Sequence, residues 1–121
     1  MKILIVDDSK AMRMIVMRAL KSTSTYGGAE MLQAVDGKEA LGMIEADPPD
    51  LVLSDWNMPE MSGIELLQTL GERGIIPPTF GFVTSEHTPE MYDRAMAAGA
   101  QFLVSKPFTP ESLEGALAGA A

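Results

Sequence analysis

The chain has no cysteine, which excludes a disulfide framework and thiolate chemistry and fits a reducing, cytoplasmic interior. No apolar run approaches the roughly 20 residues that a membrane span needs. The N-terminus enters a short strand-like run without a secretory cleavage pattern. Positive charge is scarce: nine Lys and Arg face 17 Asp and Glu, leaving a formal net charge of −8 and a pI near 4.5. That field repels nucleic acid and anionic lipid, so binding to either is not expected, whereas cations are attracted. There is no linker, internal repeat or low-complexity tract. The 121 residues, 46% of them hydrophobic, therefore read as one domain over residues 1–121.

The apolar residues that are present fall into short blocks. Leu51-Val52-Leu53 run without polar interruption into Ser54 and Asp55, and Lys2 to Val6 run in the same way into Asp7 and Asp8. Unbroken runs this short suit strands buried on both faces, as in a parallel sheet covered by helices. Glu30 to Val35, Thr79 to Thr84 and Gln101 to Val104 supply three more strands. Between them lie helical patterns. Ser9 caps a helix whose stripe is Met12, Ile15, Val16, Ala19 and Leu20. After an Asp36-Gly37 turn, Lys38 to Ala46 carries Ala40, Leu41 and Ile44 on one side. Gly63 to Arg73 ends at Gly74, and Thr88 with Pro89 opens a helix ending at Gly99. Thr109, Pro110 and Glu111 open a last helix with Leu113 and Leu117 as its apolar points. Strand and helix alternate five times, which predicts an α/β fold with a parallel sheet and right-handed crossovers.

In such sheets the chemistry gathers beyond the carboxyl ends of the strands. There stand Asp7 and Asp8, then Asp55, then Thr84 and Ser85, then Lys106. Three carboxylates crowded together disfavour one another's ionisation, and a hard cation reverses that. Oxygen donors without His or Cys favour Mg²⁺, which shares carboxylates with a phosphate. Lysine and a hydroxyl complete a site suited to a phosphoryl group.

These residues resemble a known family. Asp7-Asp8-Ser9, Asp55 with Met58-Pro59 and Ser62-Gly63, Thr84, and Lys106-Pro107-Phe108 lie in order, each after its strand. The chain is similar over essentially its whole length to the response-regulator receiver domain, the phosphoacceptor module of two-component signalling. The segment Ser54 to Pro59 is especially similar to single-domain chemotaxis regulators. The resemblance implies a flavodoxin-like, doubly wound sheet of five parallel strands in the order 2-1-3-4-5, with five helices. It implies that Asp55 accepts a phosphoryl group from a kinase phosphohistidine. Asp8, Asp55 and the Asn57 carbonyl would ligate Mg²⁺, with Asp7 acting mainly through water. Lys106 and Thr84 would hold phosphoryl oxygens, and Lys106-Pro107 would be a cis peptide. Asn57 and Glu86 would tune the phosphate's lifetime. Thr84, Leu103, Met91 and Tyr92 would form the switch and partner surface, read by a downstream target protein, in a monomer supplied by a histidine kinase or phosphotransfer protein. The result is a phosphoacceptor that promotes loss of its own phosphate, not an enzyme turning over a small substrate.

Two positions depart from the family pattern. Leu103 stands where an aromatic switch residue is usual, with Phe102 expected on the opposite face of its strand. Ser62 stands where an acidic residue is common. The ten methionines read chiefly as core filler, His87 as a solvated loop residue, and Trp56 as partly exposed beside the metal. Other readings are a receiver within a longer regulator, a non-phosphorylated interaction module, a flavodoxin-like cofactor or nucleotide binder, and a hydrolase using an aspartyl phosphate. Asp7-Asp8 in place of a phosphate-binding loop argues against the cofactor binder. The lack of an aspartate two positions after Asp55 argues against the hydrolase.

Overall fold

A computed structural model describes residues 1–120. Strands β1 (Lys2–Val6), β2 (Glu30–Ala34), β3 (Leu51–Ser54), β4 (Thr79–Thr84) and β5 (Phe102–Ser105) alternate with α1 (Lys10–Lys21), α2 (Gly37–Ala46), α3 (Gly63–Arg73), α4 (Pro89–Ala98) and α5 (Pro110–Ala120). All strand pairs are parallel, in the order β2-β1-β3-β4-β5, as expected. The period of two explains the unbroken apolar runs. Ile3, Ile5, Leu51 and Leu53 enter a core shared with Val16 and Leu20 of α1 and Leu113 and Leu117 of α5. Leu4, Val6, Val52, Phe80 and Phe82 enter a second core against α2, α3 and α4. Both faces of the sheet are covered, so both residue sets must be apolar.

Local chemistry sets the element ends. Ser9, Asp36, Ser62 and Thr88 each accept a backbone N–H bond from the third residue of the helix they open. Glu65 returns the bond to the Ser62 N–H and completes a capping box. Gly74 and Gly99, at φ 69° and 114°, end α3 and α4 in the left-handed region.

Several details differ from the sequence reading, among them β2, which ends at Ala34 and leaves Val35 exposed beyond it. Ile15 is exposed, whereas Arg13 is buried on the same helix. The buried stripe of α1 is therefore rotated toward Arg13, because a polar anchor takes the inward position nearest the strand ends. Asp36-Gly37 is the capped start of α2 rather than a turn before it. Gln101 lies just outside β5, where its amide accepts from the Phe80 N–H and donates to the Pro78 carbonyl, both at 2.8 Å, standing in for the next sheet contact. Among the described residues no helix is long and apolar enough to cross a membrane.

Candidate functional site

Main-chain pairing continues one residue beyond β1 and β3. The Asp7 N–H donates to the Ala34 carbonyl at 3.1 Å, and the Asp55 N–H donates to the Val6 carbonyl at 2.8 Å. This brings both aspartates to one level above the sheet. Carboxylate oxygens of Asp7, Asp8 and Asp55 lie within 4.8 Å of one another. Asp7 is buried, Asp55 half-buried and Asp8 exposed. Lys106 reaches in from the end of β5, its Nζ 3.0 Å from Asp7 Oδ2 and 3.3 Å from Asp55 Oδ2. The lysine is held by its own N–H on the Thr84 carbonyl, and the Lys106–Pro107 peptide is cis, as the resemblance implied.

The other carboxylate oxygens of Asp7 and Asp55 are also occupied. The Ser9 N–H donates to Asp7 Oδ1 at 2.9 Å, and the Trp56 N–H donates to Asp55 Oδ1 at 2.7 Å. Burial nevertheless pushes the Asp55 carboxyl up from its usual range. Lys106 draws it down and Asp7 adds to the rise. A carboxyl that binds its proton more tightly when folded costs stability once it ionises. The penalty is absent below the unfolded value and fully present above the folded one. In metal-free buffer, Asp55→Asn is accordingly expected to match the wild type in acid and become more stable than it as pH rises toward neutrality. Urea unfolding at a series of pH values checks this, and a stability difference that does not grow with pH refutes it.

Thr84 is fully buried at the end of β4, and its hydroxyl accepts from the Glu86 N–H at 3.4 Å. Asn57 Nδ2 donates to Glu86 Oε1 at 3.3 Å, which ties the loop after β3 to the loop after β4 beside the carboxylates. Phe102 and Leu103 face opposite sides as expected. Leu103 packs half-buried in the core that includes Phe82, and the Phe102 ring fills the space over Gly81. Met91 is half-buried and Tyr92 is exposed on α4. His87 is an exposed loop residue, as expected, with its Nδ1 2.8 Å from Ser105 Oγ and its ring stacked on Tyr92 at a centroid distance of 6.4 Å.

Trp56 corrects an expectation. Its ring is buried, tilted against Phe82 at 4.9 Å, and covered by the Arg94 guanidinium at 5.6 Å. The backbone N–H turns toward Asp55 while the ring turns into the core, so the two ends of the residue serve different purposes. Arg13 was missed altogether. Its Nη1 donates to the Asp7 carbonyl at 2.7 Å and its Nε to Gln33 Oε1 at 2.9 Å. The signal was legible, since Arg13 precedes Val16 by three positions on the apolar stripe.

The donor set fits a hard divalent cation: three carboxylates, no imidazole and no thiolate, with separations one ion can bridge. Residues 3–118 match the response regulator receiver domain. The chain belongs to the response-regulator receiver family. It is 40% identical to the chemotaxis protein CheY of Pseudomonas aeruginosa, over 94% of this chain and 90% of that one. It is 37% identical to chemotaxis protein CheY-3 of Vibrio cholerae, over 94% and 86% respectively. The solved structure of the chemotaxis response regulator CheY4 of Vibrio cholerae superposes with a TM-score of 0.86 at 33% identity, covering 99% of this chain and 98% of that one. In this receiver, then, the acidic cluster, Lys106 and Thr84 all lie at the carboxyl edge of one sheet.

Proposed function

We propose that this receiver takes a phosphoryl group onto Asp55 from the phosphohistidine of a histidine kinase or phosphotransfer protein, with Mg²⁺ as cofactor. The observation that carries the reading is the placement of Lys106 Nζ between Asp7 and Asp55 within a cluster of three carboxylates. A bound Mg²⁺, held by Asp8, Asp55 and the Asn57 carbonyl with Asp7 nearby, would neutralise charge on the incoming phosphoryl oxygens. The chain's own groups do the rest. A carboxylate oxygen of Asp55 forms the new O–P bond as the P–N bond to the donor imidazole breaks, and the imidazole leaves with the electron pair. Lys106 and the Thr84 hydroxyl then receive phosphoryl oxygens. A turn of the Thr84 side chain toward the phosphoryl group would exchange its long contact with the Glu86 N–H for one to a phosphoryl oxygen. That exchange would alter the loop leading into α4 and so the surface around Leu103, Met91 and Tyr92, which a downstream target protein reads. Asn57 and Glu86, joined beside the carboxylates, would govern water's access and hence the phosphate's lifetime.

Hydrolysis of the acyl phosphate resets the protein, which is thus a signalling switch rather than an enzyme with an external substrate. The reading extends to a cytoplasmic, monomeric, chemotaxis-like regulator that acts without contacting nucleic acid or membrane. The test is intact mass after incubation with Mg²⁺ and acetyl phosphate. Wild type is expected to gain one phosphoryl group and Asp55→Ala none. Equal labelling of the variant would overturn the assignment. So would an unmodified wild type that also ignores a phosphohistidine donor.

A further inference from the structure

The buried guanidinium of Arg13 has no counterpart among the roles given above. It is 8% exposed, and among the described residues no carboxylate lies within ion-pair distance of it. A buried cation paired only with neutral acceptors is costly, so the site must gain something from its presence. Both of its hydrogen bonds are directional. Nη1 meets the carbonyl of Asp7, and Nε meets the Gln33 side chain just inside the end of β2.

The Asp7 carbonyl belongs to the peptide plane that leads into Asp8. The other side of Asp7 is fixed by its N–H on Ala34 and by its carboxylate on the Ser9 N–H and Lys106. Where β1 ends, this carbonyl would otherwise be left without a partner in a buried position. Holding it sets the rotation of the peptide joining the two aspartates, and with it the direction in which exposed Asp8 projects. We infer that Arg13, locked in place by Gln33, is a positioning residue that orients the Asp7–Asp8 peptide for binding a divalent cation. The inference rests on the Mg²⁺ reading of the site.

Electrostatics and positioning predict opposite signs. A positive charge beside a cation site repels the ion, so its removal by Arg13→Met would tighten binding if charge were the whole effect. Loss of an outer hydrogen bond that orients a ligand instead weakens affinity, typically about 10-fold to 100-fold.

The experiment is calorimetric titration of the full chain with Mg²⁺, for wild type, Arg13→Met, Arg13→Lys and Gln33→Ala, each checked for folding by circular dichroism. Arg13→Met is expected to bind roughly 10-fold more weakly. Arg13→Lys keeps the charge but not the rigid two-bond fork, and is expected to bind more weakly than wild type as well. Gln33→Ala, at an exposed position that leaves the guanidinium in place, should show a smaller loss in the same direction.

Arg13→Met binding as tightly as wild type, or more tightly, overturns the inference. If that variant fails to fold, unchanged affinity in Gln33→Ala overturns it. A wild type that binds no Mg²⁺ removes the reading of the site and the inference together. Wild-type binding with unaffected variants removes the inference alone.

Discussion

Lys106→Met is expected to lower stability by about 3 kcal/mol in metal-free buffer and to abolish phosphorylation of Asp55. The side chains of Lys106, Asp7 and Asp55 are only 14%, 5% and 14% exposed, so the ammonium is the nearby cation that compensates two sheltered carboxylates. An exposed ion pair would be worth little, as with Arg73 and Glu45 on the surface. Breaking a sheltered one leaves charge uncompensated, and the methionine supplies bulk without a donor. Mg²⁺ should recover part of the loss, because a divalent ion bound only by the folded state stabilises it by mass action, about 2.7 kcal/mol at 100 times the dissociation constant. Urea unfolding with chelator and with Mg²⁺ measures both effects. A variant as stable as wild type in chelator would mean that the pair does not compensate the cluster. A variant that is destabilised yet fully phosphorylated would separate Lys106 from the chemistry.

Gly63→Ala is expected to cost about 3 kcal/mol and to impair the site despite adding a single methyl group. A Cβ at Gly63 would lie 2.1 Å from the Asp55 carbonyl oxygen and 2.8 Å from Cε1 of Phe82. The first of these contacts is with backbone that cannot swing aside. The Gly63 N–H also donates to the Trp56 carbonyl at 2.8 Å, which anchors the start of α3 against the segment carrying Asp55. Any shift that accommodates the methyl group must move either the helix or the Asp55–Trp56 peptide. Chemical denaturation should show the loss, and acetyl phosphate labelling of the folded fraction should be slower than in wild type. Wild-type stability together with wild-type labelling would show that the segment yields freely, against the packing described.

Much of this was legible in the residues. The strand runs, the caps at Ser9 and Thr88, and the glycine stops at Gly74 and Gly99 act within a few residues of themselves, and local physics decides them. The gathering of Asp7, Asp8, Asp55 and Lys106 followed from their place after parallel strands, together with a family resemblance that supplied the strand order. The orientation of Trp56 was not legible. Its place beside Asp55 suggested exposure, but the ring is drawn inward by Phe82 and covered by Arg94, residues 26 and 38 positions away. The position of His87 against Ser105 and Tyr92 depended in the same way on how α4 sits against β5.

The sequence by itself thus determined the alternation of elements, the two apolar faces of the inner strands β1 and β3 and the type of chemistry at the strand ends, because period, capping and side-chain charge are local properties. Only the tertiary structure decided that Arg13 rather than Ile15 turns inward, that Lys106 bridges two aspartates instead of meeting solvent, and that Gly63 cannot tolerate a methyl group. Each of these depends on what another segment brings to within a few ångströms, and no spacing along one segment records that.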